Sequence, residues 1–128
     1  MTITPPSKVQ LVYIKGKGRG VICTNPIKKG ELIERLPLII LSPEEGDFIK
    51  NKSPILKFYA LELTSINRHV LHLGYGMIYN HSANPNAELV YTVPNDYIDF
   101  VALKEIEIDE EIVYDYSFDG EEEFLPLP

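Results

Sequence analysis

Cysteine is almost absent from this sequence. Cys23 is the single cysteine among 128 residues, which excludes an internal disulfide and a zinc site built on cysteines. No apolar run approaches the roughly 20 residues that a membrane-spanning helix needs, and residues 1–10 lack the apolar centre of a signal peptide. We therefore expect a protein that is neither secreted nor membrane-spanning. Its expected place is a reducing intracellular compartment, the cytoplasm or, in a eukaryote or virus, the nucleus.

Basic residues are also scarce. Twelve Lys and Arg stand against nineteen Asp and Glu, and the formal net charge is −7. This balance argues against direct binding of nucleic acid, which usually needs a basic surface. Long-range attraction would favour basic partners instead, although acidic charge is equally typical of a protein that it merely keeps soluble.

Apolar residues are plentiful enough for one core. Hydrophobic residues make up 45% of the chain, and eight tyrosines add apolar bulk with a polar tip. No repeat or interior linker divides the sequence. We predict a single domain over 1–128, with a core at about 9–119 and tails at 1–8 and 120–128.

Short extended segments punctuated by turns dominate the chain. Strands are predicted at 9–14, 21–24, 31–41, 87–93, 97–103 and 111–116, with hairpin loops at 15–20 and 94–96 and a turn at 25–30. A short helix is predicted from Ser42 as N-cap and Pro43 at its first position. Residues 55–73 fit either a strand or a buried helix. The pattern predicts a mainly β domain, and short strands at regular spacing are typical of a sandwich or barrel.

"GKGRG" (16–20) is the first of three polar stretches that are candidates for a site. Glycine allows a ligand to approach the backbone closely. However, a strand follows rather than a helix, and the Gly-Lys-Ser/Thr ending of a phosphate-binding loop is missing. Alone, this stretch is typical of an ordinary hairpin loop.

"YNHSANPN" (79–86) concentrates hydrogen-bonding side chains between two hydrophobic segments. Asn80, His81 and Ser82 match a glycosylation sequon, which carries no meaning without secretion. Polar groups beside core strands usually need partners. Asn80 and His81 would therefore satisfy either backbone groups or a ligand, and a polar turn ended by Pro85 is the alternative.

"DEEIVYDY" (109–116) ends in a predicted strand with two tyrosines. Tyr114 and Tyr116 point to the same side of an ideal strand, where they would line a narrow channel or simply pack in the sheet. Residues 115–126 mimic a calcium loop, but Pro126 stands at its twelfth position and no helix is predicted before it, which excludes an EF-hand. His69 and His72 are spaced to share a helical face, but no third ligand is apparent, and we predict no metal site.

Together and in this order, "KGRGV" (17–21), "NHSANPN" (80–86) and "DEEIVYDY" (109–116) resemble the SET domain of protein-lysine methyltransferases. The stretches 26–41 and 100–112 are also similar to that family, so the resemblance covers nearly the whole chain. It implies a mainly β SET (β-clip) fold of small curled sheets with short helices, whose C-terminal segment threads under a preceding loop as a pseudoknot. Composition and periodicity alone do not predict this threading, which is rare.

The resemblance also implies an activity and its residues. S-adenosylmethionine would bind on one face, and the target lysine would enter a channel from the other. The cofactor site would comprise Lys17, Gly18, Arg19, Gly20, Asn80, His81 and Tyr116. The implied catalytic residues are Tyr116, which matches the catalytic tyrosine, and Tyr114, at the position that tunes how many methyl groups are added. Tyr75 and Ile78 would line the lysine channel with Tyr114.

The implied reaction is in-line transfer of a methyl group to a neutral lysine amine. The ammonium form has a free pKa near ~10.4 and must first lose a proton. The hydroxyl of Tyr114 predicts mainly mono- or dimethylation of a lysine in a histone or another basic protein. Two alternatives stay open: a degenerate module that binds a peptide or S-adenosylmethionine without turnover, and a structural β-protein whose motifs coincide by chance.

The chain departs from the family in two places. Many members carry a cysteine-rich, zinc-binding segment that completes the lysine channel. With one cysteine, this chain would use its tail, with Phe118 or Phe124 over the cofactor, or a partner subunit, which leaves a homodimer open. Where the family often has Arg-Phe before the Asn-His pair, this chain has Met77 and Ile78.

Overall fold

The computed structural model describes residues 2–116, so the tail residues Phe118 and Phe124 lie outside the described residues. Extended segments outnumber helical ones, which confirms the mainly β prediction. The strands are β1 (Val9–Ile14), β2 (Gly18–Cys23), β3 (Leu32–Ile40), β4 (Leu61–Leu63), β5 (Arg68–His72), β6 (Asn80–His81), β7 (Ala87–Val90), β8 (Tyr97–Ala102) and β9 (Val113–Tyr114); helix α1 spans Pro43–Lys52 and a 3-10 turn spans Leu56–Phe58. Within 2–116, no helix has the length and apolar character that crossing a membrane requires.

β1 and β2 form the predicted first hairpin, paired antiparallel with Ile14 opposite Gly18 at the turn end. The sequence predicts a loop over 15–20, but β2 already begins at Gly18 and only 15–17 form the turn. This turn is closed by a hydrogen bond of 3.0 Å from Lys17 N to Ile14 O. The ladder to β1 outweighs the weak intrinsic strand preference of glycine.

A five-stranded antiparallel sheet in the order β4-β5-β3-β8-β7 forms the body of the domain. β3 changes neighbour along its length, pairing with β8 as far as Pro37 and with β5 from Leu38 onward. Pro37 therefore lies where the ladder changes, and its carbonyl accepts from Leu73 N at 2.9 Å. A proline, which has no N–H to donate, fits inside this strand, and the extended prediction for 31–41 is confirmed.

Helix α1 begins as predicted, with Ser42 as N-cap and Pro43 at its first position. The Ser42 side chain accepts from the Glu45 N–H while the Glu45 carboxylate accepts from the Ser42 N–H, which is a capping box. The buried Ile49 packs with Ala60 in a small cluster beside the main core.

The segment that the sequence leaves open between strand and helix is extended for most of its length. After the 3-10 turn, β4 and β5 form a hairpin in which Leu61 lies opposite Val70. His69 and His72 therefore do not share a helical face, because both lie on β5. Three residues apart on a strand, they point to opposite sides; His72 is buried and His69 is half-exposed.

β7 and β8 form the predicted second hairpin, with Val90 opposite Asp99 at the turn end. The connection is longer than the predicted 94–96, because β7 ends at Val90. Inside this loop Tyr91 Oη donates to Asn95 O at 2.7 Å, so the side chain of Tyr91 serves the loop rather than the ladder.

The C-terminal segment 109–116 lies between β2 and β6. On one side Ile112 N donates to Val21 O at 2.8 Å. On the other side β9 runs parallel to β6, with His81 opposite Tyr114. This threaded crossing is the predicted pseudoknot.

Asn86 fixes the crossing through its buried side chain. Its Nδ2 donates to Glu111 O at 2.8 Å and its Oδ1 accepts from Val113 N at 2.9 Å. The sequence predicts a strand over 111–116, but only two residues, Val113–Tyr114, pair as a strand. The shortening has a physical cause, since the amide of Asn86 takes the place of a backbone partner.

The main core meets this crossing at Tyr79, which is fully buried and whose ring centroid lies 4.1 Å from that of Phe100. Tyr79 Oη donates to the buried Glu34 carboxylate at 2.7 Å, and Tyr75 N donates to the other oxygen of Glu34 at 3.2 Å. Burial raises the pKa of Glu34, and the two hydrogen bonds partly oppose that effect. The residue before Asn80 is thus anchored in the core.

Candidate active site

The crossing places Tyr116 against the residues on both sides of Asn80. Tyr116 is 9% exposed; its Oη donates to Tyr79 O at 2.8 Å, and its N–H donates to His81 Nδ1 at 3.0 Å. The orientation of the phenol therefore depends on the short stretch 79–81.

The surroundings of Tyr116 keep its phenol protonated. Burial, together with the smaller effects of the nearby Tyr59 and Glu111, raises its pKa to about 12. A phenol has one proton to donate, and Tyr116 donates it to Tyr79 O. Toward the cleft beside it, Tyr116 Oη can therefore act as a hydrogen-bond acceptor.

His81 uses its ring to hold the backbone of the neighbouring strand. Because Nδ1 accepts the Tyr116 N–H, this nitrogen carries no proton, and the neutral tautomer protonated on Nε2 is the one that fits. Nδ1 also lies 3.8 Å from Asp115 Oδ1. Without a proton on Nδ1, this approach is not an ion pair.

Tyr114 packs against Tyr116 from the core side. It is 2% exposed, and its ring centroid lies 4.9 Å from that of Tyr116 and 5.6 Å from that of Phe100. Burial raises its pKa well above the ordinary value for a tyrosine. The two phenols are therefore close together, as expected for residues two apart.

A cleft of about 180 Å³ opens beside Tyr116. It is lined by Lys17, Arg19, Tyr59, Met77, Ile78, Asn80 and Tyr116. Four of the predicted cofactor residues and one predicted channel residue, Ile78, thus meet in one place, although they come from distant parts of the chain.

Tyr75, predicted to line the lysine channel, is not among the residues of this cleft. It lines a separate cavity of about 340 Å³ together with Glu34, Gly74 and the N-terminal residues 3–6. Ile78 N donates to Tyr75 O at 2.8 Å, so the two residues belong to one tight turn. The turn presents them to different cavities.

Two positions of the first hairpin, Gly18 and Gly20, favour glycine for different physical reasons. Gly18 has φ of +85°, a left-handed conformation that favours glycine, and no heavy atom lies within 4 Å of the place of a Cβ. At Gly20 a Cβ would clash with Ile14 Cδ1 of β1 and would lie 2.9 Å from Glu111 Oε2 and 3.0 Å from Asn80 Nδ2. Gly20 is therefore required by close packing against the crossing.

The sequence profile of the SET domain matches residues 18–117 of this chain, which include every element from β2 to β9. The chain belongs to the SET-domain family. Its members include protein-lysine methyltransferases, which use S-adenosylmethionine as methyl donor.

Two curated relatives of this SET domain are lysine methyltransferases by name. Histone-lysine N-methyltransferase, H3 lysine-37 specific, from Schizosaccharomyces pombe is 33% identical over 111 residues, which cover 87% of this chain and 74% of that protein. N-lysine methyltransferase KMT5A-A from Danio rerio is 28% identical over 121 residues, which cover 82% of this chain but only 34% of that protein. These relatives support a protein-lysine methyltransferase activity for this SET domain.

A crystal structure from Plasmodium falciparum has a similar fold. That protein is assigned as a histone methyltransferase; it is 29% identical to this SET domain, with a TM-score of 0.69, and the match covers 89% of this chain and 96% of the other. The SET fold that the motifs predict is thereby confirmed.

The motifs do not indicate two residues of the site. Tyr59 lines the cleft and contributes to the raised pKa of Tyr116, but it lies in the segment 55–73, whose pattern fits both strand and helix. Glu111 lies inside the motif "DEEIVYDY". In the sequence, its role could have been inferred only from its charge next to apolar strand residues. Its carboxylate accepts from Asn80 Nδ2 at 2.7 Å and from Lys17 Nζ at 2.5 Å.

The remaining titratable side chains of residues 2–116 do not form a metal centre. In the part of the chain that the structure describes, no three His, Cys, Asp or Glu residues lie close enough together to hold a metal ion. Cys23 is buried, which raises the pKa of its thiol, and its Sγ lies 2.8 Å from Asn25 O.

Proposed function

We propose that this SET domain transfers methyl groups from S-adenosylmethionine to a lysine of a basic protein and yields mainly mono- or dimethyl-lysine. The observation that carries the proposal is the buried phenol of Tyr116, held by Tyr79 O at 2.8 Å beside the cleft. Asn80 and the cationic side chains of Lys17 and Arg19 line the same cleft.

The chemistry of the cleft fits the cofactor. Lys17 and Arg19 offer cations to a carboxylate, Asn80 offers an amide, and Met77 and Ile78 offer apolar surface. The backbone of the first hairpin loop and the ring of His81 complete the set of groups that would hold it. When bound, S-adenosylmethionine supplies the methyl group, whose bond to sulfur breaks as the lysine nitrogen attacks the carbon.

Three residues of the cleft, Met77, Ile78 and Tyr116, would act on the lysine. An ammonium has no lone pair, so the lysine, with a free pKa near ~10.4, must first lose a proton to water. The apolar side chains of Met77 and Ile78 favour the neutral amine, because burial penalises its charged form. Tyr116 Oη then accepts an N–H of the amine and turns its lone pair toward the methyl carbon. With a pKa of about 12, Tyr116 orients the amine and does not act as a general base.

A lysine-rich protein such as a histone is the proposed substrate class. The curated relatives are named for lysine and histone-lysine methylation. The net charge of −7 attracts a basic partner and repels nucleic acid, so we propose a protein rather than a nucleic-acid complex as the target. Such a substrate places the reaction inside the cell, in the cytoplasm or the nucleus.

The test incubates the full chain with radiolabelled S-adenosylmethionine and a panel of core histones and other basic proteins. Wild type is expected to label a lysine, and mass spectrometry of early time points is expected to show mono- and dimethyl forms. Dominant trimethyl-lysine would contradict the role given to Tyr114. Binding of S-adenosylmethionine in a calorimeter without any transfer would indicate a degenerate module, and no binding would indicate a structural protein.

Tyr116→Phe tests the mechanism. It removes the hydroxyl that orients the amine and leaves the ring packing in place, so turnover is expected to fall by about 10²–10³-fold, the size of the effect of losing one preorganised hydrogen-bonding group at an active site. Urea unfolding is the matched control and is expected to change by only ~1 kcal/mol, the contribution of one hydrogen bond. A fully active Tyr116→Phe variant would show that the mechanism is wrong.

A further inference from the structure

One carboxylate joins two parts of the cleft. Glu111 accepts from Lys17 Nζ through Oε1 at 2.5 Å and from Asn80 Nδ2 through Oε2 at 2.7 Å. The main chain at Glu111 is itself held, because Glu111 bridges to Ile22 of β2 and its carbonyl accepts from Asn86 Nδ2 at 2.8 Å. The carboxylate therefore projects from a fixed point of the crossing, and its side chain is only 17% exposed.

These contacts determine which way the amide of Asn80 faces. Asn80 Nδ2 donates to Arg19 O at 2.9 Å and to Glu111 Oε2 at 2.7 Å. Both partners are acceptors, so the NH₂ group must point at them and both of its hydrogens are used. What Asn80 presents to the cleft is its oxygen, an acceptor.

Gly20 gives independent support for this arrangement. Its missing side chain leaves room for Ile14 and for the pair, since a Cβ would clash first with Ile14 Cδ1 and would lie 2.9 Å from Glu111 Oε2 and 3.0 Å from Asn80 Nδ2. The glycine that the cofactor motif requires thus packs directly against the contact between Glu111 and Asn80.

We propose that Glu111 is a positioning residue for cofactor binding: it holds the Asn80 amide so that the oxygen accepts a hydrogen bond from the ammonium of the cofactor's amino-acid part. An acceptor oxygen suits an ammonium, which can only donate. Without Glu111 only Arg19 O holds the NH₂ group, so the amide turns more easily and then presents that NH₂ group, which repels an ammonium. The inference rests on the proposed function, because it concerns the same cleft.

The experiment is a double-mutant cycle on the full chain, with Kd for S-adenosylmethionine and S-adenosylhomocysteine measured by calorimetry. Asn80→Ala and Glu111→Ala are each expected to weaken binding by about tenfold to a hundredfold, the range for one hydrogen bond to a charged group. The double variant is expected to bind within about threefold of Asn80→Ala, because Glu111 acts through Asn80. Additive losses, or an unchanged Kd for Glu111→Ala, would overturn the proposal.

A conservative variant separates positioning from charge. Glu111→Gln keeps a side-chain oxygen for Asn80 Nδ2 but loses the ion pair with Lys17, and it is expected to restore Kd to within about threefold of wild type. If Glu111→Gln binds as weakly as Glu111→Ala, the charge matters and the amide orientation does not. Glu88→Gln, on the exposed face of β7, changes the net charge equally and is expected to bind as wild type. Failure of wild type itself to bind would instead refute the proposed function.

Discussion

Tyr79 and Asn80 are consecutive residues, and a glutamate holds each of them on opposite sides of the backbone. On the core side, Tyr79 Oη donates to Glu34 at 2.7 Å. On the cleft side, Asn80 Nδ2 donates to Glu111 at 2.7 Å. The distances are equal, but Tyr79 and Glu34 are buried, whereas Glu111 is partly exposed and shares its charge with Lys17.

The difference shows that the surroundings decide whether the same kind of hydrogen bond contributes to stability or to binding. An unmade hydrogen bond in the core leaves a buried polar group without water, so the pair of Glu34 and Tyr79 concerns stability. In the cleft, water can replace a lost partner, so the pair of Glu111 and Asn80 contributes little to folding and acts on binding. The core pair also supports the position of Tyr116, because the carbonyl that accepts the hydrogen bond of Tyr116 Oη belongs to Tyr79.

The largest expected effect comes from breaking the core pair. Glu34→Ala leaves Tyr79 Oη and Tyr75 N without their acceptor, and at about 1–3 kcal/mol for each buried donor the free energy of unfolding should fall by roughly 2–6 kcal/mol. Urea denaturation measures this loss. Glu111→Ala is the matched variant and is expected to lower stability by less than ~1 kcal/mol, as for a pair near the surface. Equal losses of stability in the two variants would show that the core pair and the cleft pair do not differ in their contribution to folding.

A second effect on stability is expected from His72, a polar side chain in the core without such a hydrogen-bond partner among residues 2–116. His72 is buried, and neither of its ring nitrogens has a hydrogen-bond partner among residues 2–116. Burial lowers the pKa of His72 from 6.5 to about 4. Between these pH values the unfolded chain binds a proton that the folded chain does not, so stability is full above pH 6.5 and falls by about 3 kcal/mol toward pH 4.

His72→Leu isolates this contribution. Urea unfolding of both proteins at several pH values should show a difference in stability that favours the variant increasingly as the pH falls from 6.5 to 4. Glu34 has the opposite sign: its pKa is raised, so acidification favours the folded state through this group, and it is common to both proteins. A constant difference between wild type and His72→Leu would refute the assignment.

The sequence motifs identify the cleft side better than the core side. Lys17, Arg19 and Asn80 stand in short patterns that resemble those of the SET domain, and the structure brings them into one cleft. The cap at Ser42 is equally local and was predictable for that reason. Local features of this kind can be predicted from a short stretch of sequence, without knowing which distant residues pack against it.

Long-range pairing was not predictable from pattern alone. β6 has two residues and β9 has two, too few to show alternation, and they pair about thirty residues apart in sequence only because the segment after Glu110 is threaded between β2 and β6. Tyr59 comes from a segment with no distinct period. Tyr75 and Ile78 share a turn, and turn geometry decides which cavity each one faces.

A smaller effect comes from crowding the cleft pair. In Gly20→Ala the added Cβ would clash with Ile14 and press on both Glu111 and Asn80, so overpacking should cost about 1–3 kcal/mol of stability, and Kd for S-adenosylmethionine should rise about tenfold through the displaced pair. Gly16→Ala is the control, since that position has φ of +84° but no heavy atom within 4 Å. It should lose about 1 kcal/mol of stability through backbone strain and keep its affinity. Loss of affinity in both variants would point to loop strain rather than to the pair.

The smallest effect on stability is expected at the residue that touches both sides. Tyr114 packs against Phe100 in the core and against Tyr116 beside the cleft, with centroid distances of 5.6 Å and 4.9 Å. Tyr114→Phe keeps the ring, so unfolding should change by only about 1 kcal/mol, the contribution of one hydrogen bond. Without the hydroxyl, space opens beside the amine, and mass spectrometry should show a few-fold larger share of the more highly methylated lysine. If the variant loses stability like Glu34→Ala while its product pattern stays the same, Tyr114 belongs to the core pair alone and has no part in setting the methylation state.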